Sequence, residues 1–241
     1  MKKRNVYVTG IGRYLPKNKV TAREIDKRLG VKPGWVEEKT GVCERYFVTD
    51  ETPSTMGAAA AREALEHAGV QLDDIDCIIS AGAGMEQIIP CTASLIYKQL
   101  NPHHTGIPCF DMNSTCLGFV TAMDHISYSI HAGRYRRVLL ICSEIASIGL
   151  NWNHKESCSL FGDAAVAVII EPTPDELDSG ILCSHMETYT QGSHLAQVPG
   201  LGVKKHPLTY NGEINMEDFL FSMDGQSIFR MSARLLPDFL R

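Results

Sequence analysis

With 241 residues, 44% of them hydrophobic and 21% charged, the chain has the composition of a globular protein able to bury a sizeable core. Its net charge of −5, without a dense basic run, argues against a nucleic-acid binder. No apolar run reaches the roughly 18 residues of a membrane span, and no h-region follows the first residues, so the cytoplasm is the expected location.

Lys2-Lys3-Arg4 is a short basic start expected to lie in solvent. Val6–Thr9 reads as a strand, with Gly10 and Gly12 as turn glycines after it. Thr21 opens a helix to about Leu29, with Glu24 as its capping-box partner. Pro33-Gly34-Trp35 starts a short helix ending near Gly41. From Thr55 to His67, helical spacing carries an alanine-rich face (Ala58, Ala59, Ala60, Ala61, Ala64) suited to close packing on a sheet. Asp76–Ser80 is a buried strand ending at Gly82 and Gly84, Thr92–Leu100 a helix, and Ile107–Asp111 a strand. A long helix runs to about Gly133, and Arg137–Ser143 and Ala164–Ile170 are apolar strands. Beyond a proline-bearing boundary at 171–175 come a strand (Gly180–Tyr189), a loop region rich in glycine and histidine (192–212) and a helix from about Gly225 to Leu240. The alternation predicts an α/β layered fold with a mixed sheet.

The eight cysteines (43, 77, 91, 109, 116, 142, 158 and 183) show no C-x-x-C pairing and no zinc-ligand spacing. Most read as reduced, buried small hydrophobes, and no metal is expected. His103-His104 reads as a solvated loop pair, and Glu86 as a surface loop carboxylate. No phosphate-binding G-x-x-x-x-G-K-[ST], no G-x-S-x-G elbow and no H-E-x-x-H occurs.

Cys116 stands apart. The strand Ile107–Asp111 runs into the capping residue types Asn113, Ser114 and Thr115, then the thiol, then a helical stretch. This order places Cys116 in the first turn of a helix. There the unpaired backbone N–H groups and the positive end of the macrodipole favour a thiolate by about 1 kcal/mol.

Separated runs around this residue carry a family likeness. They are Thr9–Pro16, Trp35 followed by Thr40-Gly41-Val42-Cys43-Glu44-Arg45, Thr55-Met56-Gly57-Ala58, Asp111–Phe119, Phe161-Gly162-Asp163-Ala164-Ala165 and Met223-Asp224-Gly225. In this order, from Val6 to Leu240, the chain resembles β-ketoacyl-acyl-carrier-protein synthase III, a branch of the thiolase-like condensing enzymes. The resemblance implies a thiolase-like layered α/β/α fold of two similar halves. The first half is complete through residue 171, and the second, from 172 to 241, is only begun.

It also implies a function in fatty acid biosynthesis. Cys116 takes an acyl group from acyl-CoA as a thioester, with its backbone N–H as one oxyanion donor. Malonyl-carrier protein then decarboxylates, and its carbanion attacks that thioester. By the same matching, Trp35, Lys39 and Thr40 hold the adenine and phosphates of coenzyme A, and Lys155 is a second phosphate contact. Met223 and Phe229 line the acyl or pantetheine channel. Core packing is the competing reading for those two, and packing on its own helix the competing reading for Trp35. Lysine stands at 39 and 155 where arginine is expected, which keeps the charge but loses the bidentate fork. Acyl-CoA is a substrate, acyl carrier protein a partner, and no cofactor or metal is implied.

The histidine and asparagine that partner the cysteine in this family match no residue up to Arg241, nor does the glycine-rich segment that gives the second oxyanion donor. His125 and His131 lie on the helix of Cys116, too far along it to reach the thiol. The resemblance thus implies a missing C-terminal portion, an uncovered apolar face on that helix, and a homodimer or a second chain. Two alternatives stand beside this reading. One is a specialised secondary-metabolite condensing enzyme or acyltransferase, slightly favoured by the polar Asn113-Ser114-Thr115 run. The other is a non-catalytic subunit or truncated remnant.

Overall fold

The computed structural model describes residues 3–103, 105–210 and 213–241; Lys2, His104 and Gly212, named above, lie outside them. In chain order the first elements are β1 (Val6–Tyr14), β2 (Asn18–Thr21), α1 (Ala22–Leu29), α2 (Trp35–Thr40), β3 (Glu44–Phe47), α3 (Pro53–Ala68), β4 (Cys77–Ser80) and α4 (Thr92–Leu100). They are followed by β5 (Cys109–Asp111), α5 (Gly118–His131), β6 (Val138–Glu144), α6 (Lys155–Cys158), β7 (Ala164–Pro172), β8 (Ala196–Gln197), β9 (Ser222–Met223) and α7 (Gly225–Phe239). By packing, residues 1–20, 46–145 and 162–185 form one unit, and residues 21–45, 146–161 and 186–241 another.

The first unit is built on a five-stranded mixed sheet in the order β1-β7-β6-β4-β5. β7 runs antiparallel to both β1 and β6, while β4 is parallel to β6 and β5. Strand residues alternate between two cores, as a period of two requires. Ile78, Leu139, Ile141, Ala167 and Ile169 face α3 and α4, and Cys77, Ile79, Leu140, Val168 and Ile170 face α5. The result is an α/β/α sandwich buried on both sheet faces.

β1 runs on through Gly10 and Gly12, which correct the turn expected there. A Cβ on Gly10 would lie 2.3 Å from the Ala64 carbonyl oxygen, and one on Gly12 2.1 Å from that of Ala60. The two glycines let the alanine face of α3 approach the strand backbone. α3 itself starts at a Thr52–Thr55 capping box with Pro53 in the first turn. Glu86 lies half-buried in the loop after β4, its carboxylate accepting the Ser54 N–H at 2.8 Å at the start of α3.

Arg4 is not in solvent but 1% exposed. Its guanidinium donates to Ser127 Oγ at 2.7 Å, to the Tyr128 hydroxyl at 2.6 Å, to Ser184 Oγ at 3.3 Å and to the Asp124 carboxylate. The expected strand Gly180–Tyr189 is reduced to one antiparallel bridge, Arg4 with Ile181. A β-compatible sequence forms a strand only where a neighbouring strand offers its backbone. Of the cysteines, all free, Cys77 and Cys158 are buried, while Cys43, Cys116 and Cys183 are exposed. Burial pushes the Cys77 and Cys142 thiols up to about 11.

In the second unit, α1 has the expected Thr21–Glu24 capping box. The buried carboxylate of Asp26 on α1 accepts the N–H groups of Gly34 at 2.6 Å and Val36 at 2.9 Å, which fixes the start of α2. β8 pairs antiparallel with β9, and the Asp224 side chain caps α7 by accepting the Ser227 N–H at 3.0 Å. Phe161 meets Phe221 edge-on, with ring centroids 5.1 Å apart. No helix among the described residues is long and apolar enough to cross a membrane.

Candidate active site

Cys116 lies where β5 hands over to α5. The Asp111 carboxylate at the end of β5 accepts the N–H groups of Thr92 and Ala93, each at 2.8 Å, and so joins the strand end to the start of α4. Met112 N–H continues the ladder to the Ser80 carbonyl at 2.8 Å. The chain then turns sharply. Cys116 sits in a 3₁₀ turn, Thr115–Leu117, that leads into α5 at Gly118, one short turn ahead of the α-helix expected to hold it.

This turn is strained. Thr115 has φ 47°, in the left-handed region that a β-branched residue seldom enters, at a cost of about 1–3 kcal/mol. Asn113 makes an Asx turn over it, its Oδ1 accepting the Thr115 N–H at 2.8 Å, and the Leu117 N–H donates to the Ser114 carbonyl at 3.1 Å. A Cβ on Gly118 would fall 2.0 Å from the Ala81 carbonyl oxygen, so only glycine lets α5 begin this close to the end of β4. The outcome is an exposed thiol at a helix entrance.

A half-buried carboxylate braces the neighbouring loop. Glu144, at the end of β6, accepts the N–H groups of Ala83 and, at 3.1 Å, of Gly84. Burial raises its pKa, and these two bonds oppose the shift. The Ala83 carbonyl in turn accepts Asn113 Nδ2 at 3.1 Å. Sequence reading passed over Glu144 and treated Asn113 only as a capping residue type. An asparagine two residues before a left-handed position is an Asx-turn signal that could have flagged the latter. His125 Nδ1 lies 2.9 Å from the Thr121 carbonyl oxygen. Nine and fifteen residues beyond the thiol, His125 and His131 stand about 13 and 22 Å along the helix.

The other expected residues belong to the second unit. Trp35 opens α2 and Lys155 opens α6, and the Lys155 Nζ lies 5.3 Å from the Trp35 ring centroid, within cation–π range. Arg28 stacks on Trp152 with its Cζ 3.3 Å from the ring centroid. Lys39 is exposed in the last turn of α2. The Thr40 hydroxyl donates to the Val36 carbonyl at 2.7 Å and accepts from Val42 N–H and Arg45 Nη2 at 3.2 and 3.1 Å. Arg45 is itself buried, and burial lowers its pKa. Met223 is half-buried in β9, whereas Phe229 is 73% exposed on α7.

Residues 110–190, which span the thiol and its helix, match the family described as 3-oxoacyl-[acyl-carrier-protein] synthase III. The β-ketoacyl-[acyl-carrier-protein] synthase III of Rhizobium johnstonii is 34% identical over 240 residues, covering 97% of this chain and 70% of that protein. That of Methylococcus capsulatus is 31% identical over 230 residues, covering 95% and 68%. The crystal structure of the Aquifex aeolicus 3-oxoacyl-[acyl-carrier-protein] synthase III superposes with a TM-score of 0.80 at 30% identity, over 94% of this chain and 67% of that one. The thiolase-like α/β fold expected from the sequence is therefore the one observed. Agreement along nearly the entire chain makes it a member of the β-ketoacyl-acyl-carrier-protein synthase III family.

Proposed function

We propose that this condensing enzyme of fatty acid biosynthesis uses Cys116 as its acyl acceptor. The Cys116 sulfur attacks the thioester carbonyl of acyl-CoA, the carbon–sulfur bond to coenzyme A breaks, and coenzyme A leaves as the thiol. An acyl-cysteine thioester remains. Malonyl-carrier protein then loses carbon dioxide, a step whose histidine and asparagine match no residue of this sequence, and its carbanion attacks the acyl group. β-Ketoacyl-carrier protein departs and the Cys116 thiolate returns. The observation that carries this reading is the exposed thiol on a strained turn at a helix entrance, in a chain of this family. The Cys116 N–H at that entrance is one oxyanion donor.

Trp35, Lys39, Thr40 and Lys155 form the coenzyme A contact. The pairing of Lys155 with the Trp35 ring supports an adenine and phosphate site there. Because the Thr40 hydroxyl proton is engaged by Val36, the two lysines carry the phosphate charge. Met223 and Phe229 form channel wall. Residues 1–171 are the N-terminal half of the family fold and 172–241 the opening of the other half. The enzyme works in the cytoplasm as a homodimer, with acyl-CoA and acyl carrier protein as substrates and no further cofactor. The dimer is supported by β5, an edge strand with Phe110 exposed, and by the exposed Leu117 and Val120 beside it in sequence.

Intact-mass spectrometry after exposure to a panel of acyl-CoAs, beside Cys116→Ser, tests the acyl transfer. A gain of one acyl mass in the wild type and none in the variant is expected. A gain that persists in the variant, or none in folded wild-type protein, would overturn the assignment.

A further inference from the structure

We propose that Asn113 is a positioning residue for Cys116, holding Thr115 in its left-handed conformation and so aiming the thiol and the backbone N–H of residue 116. The inference rests on the assignment of Cys116 as acyl acceptor and extends it to a side chain outside the reacting atoms. Asn113 ties the strained turn to the loop after β4 through both of its polar atoms. Oδ1 takes the Thr115 N–H at 2.8 Å, and Nδ2 donates to the Ala83 carbonyl at 3.1 Å. That carbonyl is itself held in place, because Glu144 grips the N–H groups of Ala83 and Gly84 from the end of β6. A continuous path therefore runs from the end of β6, through a braced loop and a carboxamide, to the N–H of the residue just before the nucleophile.

The local energetics require such a brace. A β-branched residue at φ 47° relaxes to an extended or right-handed conformation unless the surroundings over-determine it. Rotating the Thr115 peptide turns the N–H of Cys116 and the direction of its Cα–Cβ bond together. The oxyanion donor and the nucleophile thus depend on one dihedral. Alanine at 113 removes both bonds while leaving an exposed site that tolerates the smaller side chain. Glycine at 115 adopts the left-handed conformation without strain and lowers the need for the brace.

The test compares wild type, Asn113→Ala and Asn113→Ala/Thr115→Gly by two readouts. One is single-turnover acylation by acyl-CoA, and the other is site-resolved alkylation of Cys116 by iodoacetamide, which needs no coenzyme A site. Asn113→Ala should acylate at least tenfold more slowly, with half-saturating acyl-CoA unchanged within twofold and the thermal midpoint preserved. Its Cys116 alkylation should fall at least threefold. Adding Thr115→Gly should recover a large part of both losses. Wild-type alkylation rates in Asn113→Ala, or no recovery in the double variant, would overturn the proposal. If wild type is alkylated but accepts no acyl group, the acyl-acceptor reading fails, and the alkylation series still decides the role of Asn113.

Discussion

Glu51 gathers four donors on one half-buried carboxylate: the N–H groups of Thr49 and Asp50 at 2.8 and 3.2 Å, the Thr49 hydroxyl at 3.3 Å and the Tyr14 hydroxyl at 3.2 Å. The backbone bonds, the Thr49 N–H first, hold its pKa down at about 2, against an ordinary 4.5. A carboxyl depressed in the folded state contributes stability that is present above its unfolded pKa and lost as pH falls through the folded one. The window here is therefore about pH 4.5 down to 2. Glu51→Gln should be less stable than wild type at pH 6, with the gap in urea midpoint narrowing as pH falls below 4.5. A gap independent of pH would refute this. Arg4 shows the opposite situation, a fully buried cation satisfied by Asp124 and three hydroxyl groups. Its type and its place in a basic triplet suggested solvent. Partners 120 and more residues away decide otherwise.

The contact of α3 with β1 shows how much of a packed pair can be read from one chain. The alanine run of the helix and the glycines of the strand are both visible in the sequence, and the helix was expected to lie on a sheet. What was not visible was that the two sets meet, because Gly10 and Gly12 are equally suited to a turn. Gly12→Ala should cost about 3 kcal/mol or more, since its Cβ would stand 2.1 Å from one backbone oxygen and 2.4 Å from the Ala64 nitrogen. Urea denaturation measures the loss, and a change below about 1 kcal/mol would mean that helix and strand can separate cheaply. The turn holding Cys116 follows the same logic. The thiol and its helix entrance were legible, but the left-handed Thr115 and the brace through Asn113 and Ala83 were not. A pair 30 residues apart leaves no local periodicity.

Taken across the sheet, the strand order leaves β1 and β5 as edges, and β5 leads straight to the nucleophile. Phe110, 36% exposed on that edge, and Leu117 and Val120, each exposed by more than half, supply apolar surface close in sequence to the thiol. If they meet a second copy, Phe110→Lys should shift sedimentation at micromolar concentration from dimer toward monomer. A wild-type chain that sediments as a monomer, or a variant that stays dimeric, would refute the use of this edge.

Local chemistry alone specified the main helices and strands of the sandwich, the capping box of α1, and the placing of a thiol where a strand meets a helix. Those features depend on neighbours a few residues away, which the chain itself spells out. Folding in three dimensions settled the burial of Arg4, the passage of β1 through two glycines, the reduction of Gly180–Tyr189 to a single bridge, and the clamp around Thr115. Each of these depends on a partner brought from far along the chain. A backbone group or side chain shows its preferred environment in sequence, but the hydrogen bond or close approach it makes exists only once that partner arrives.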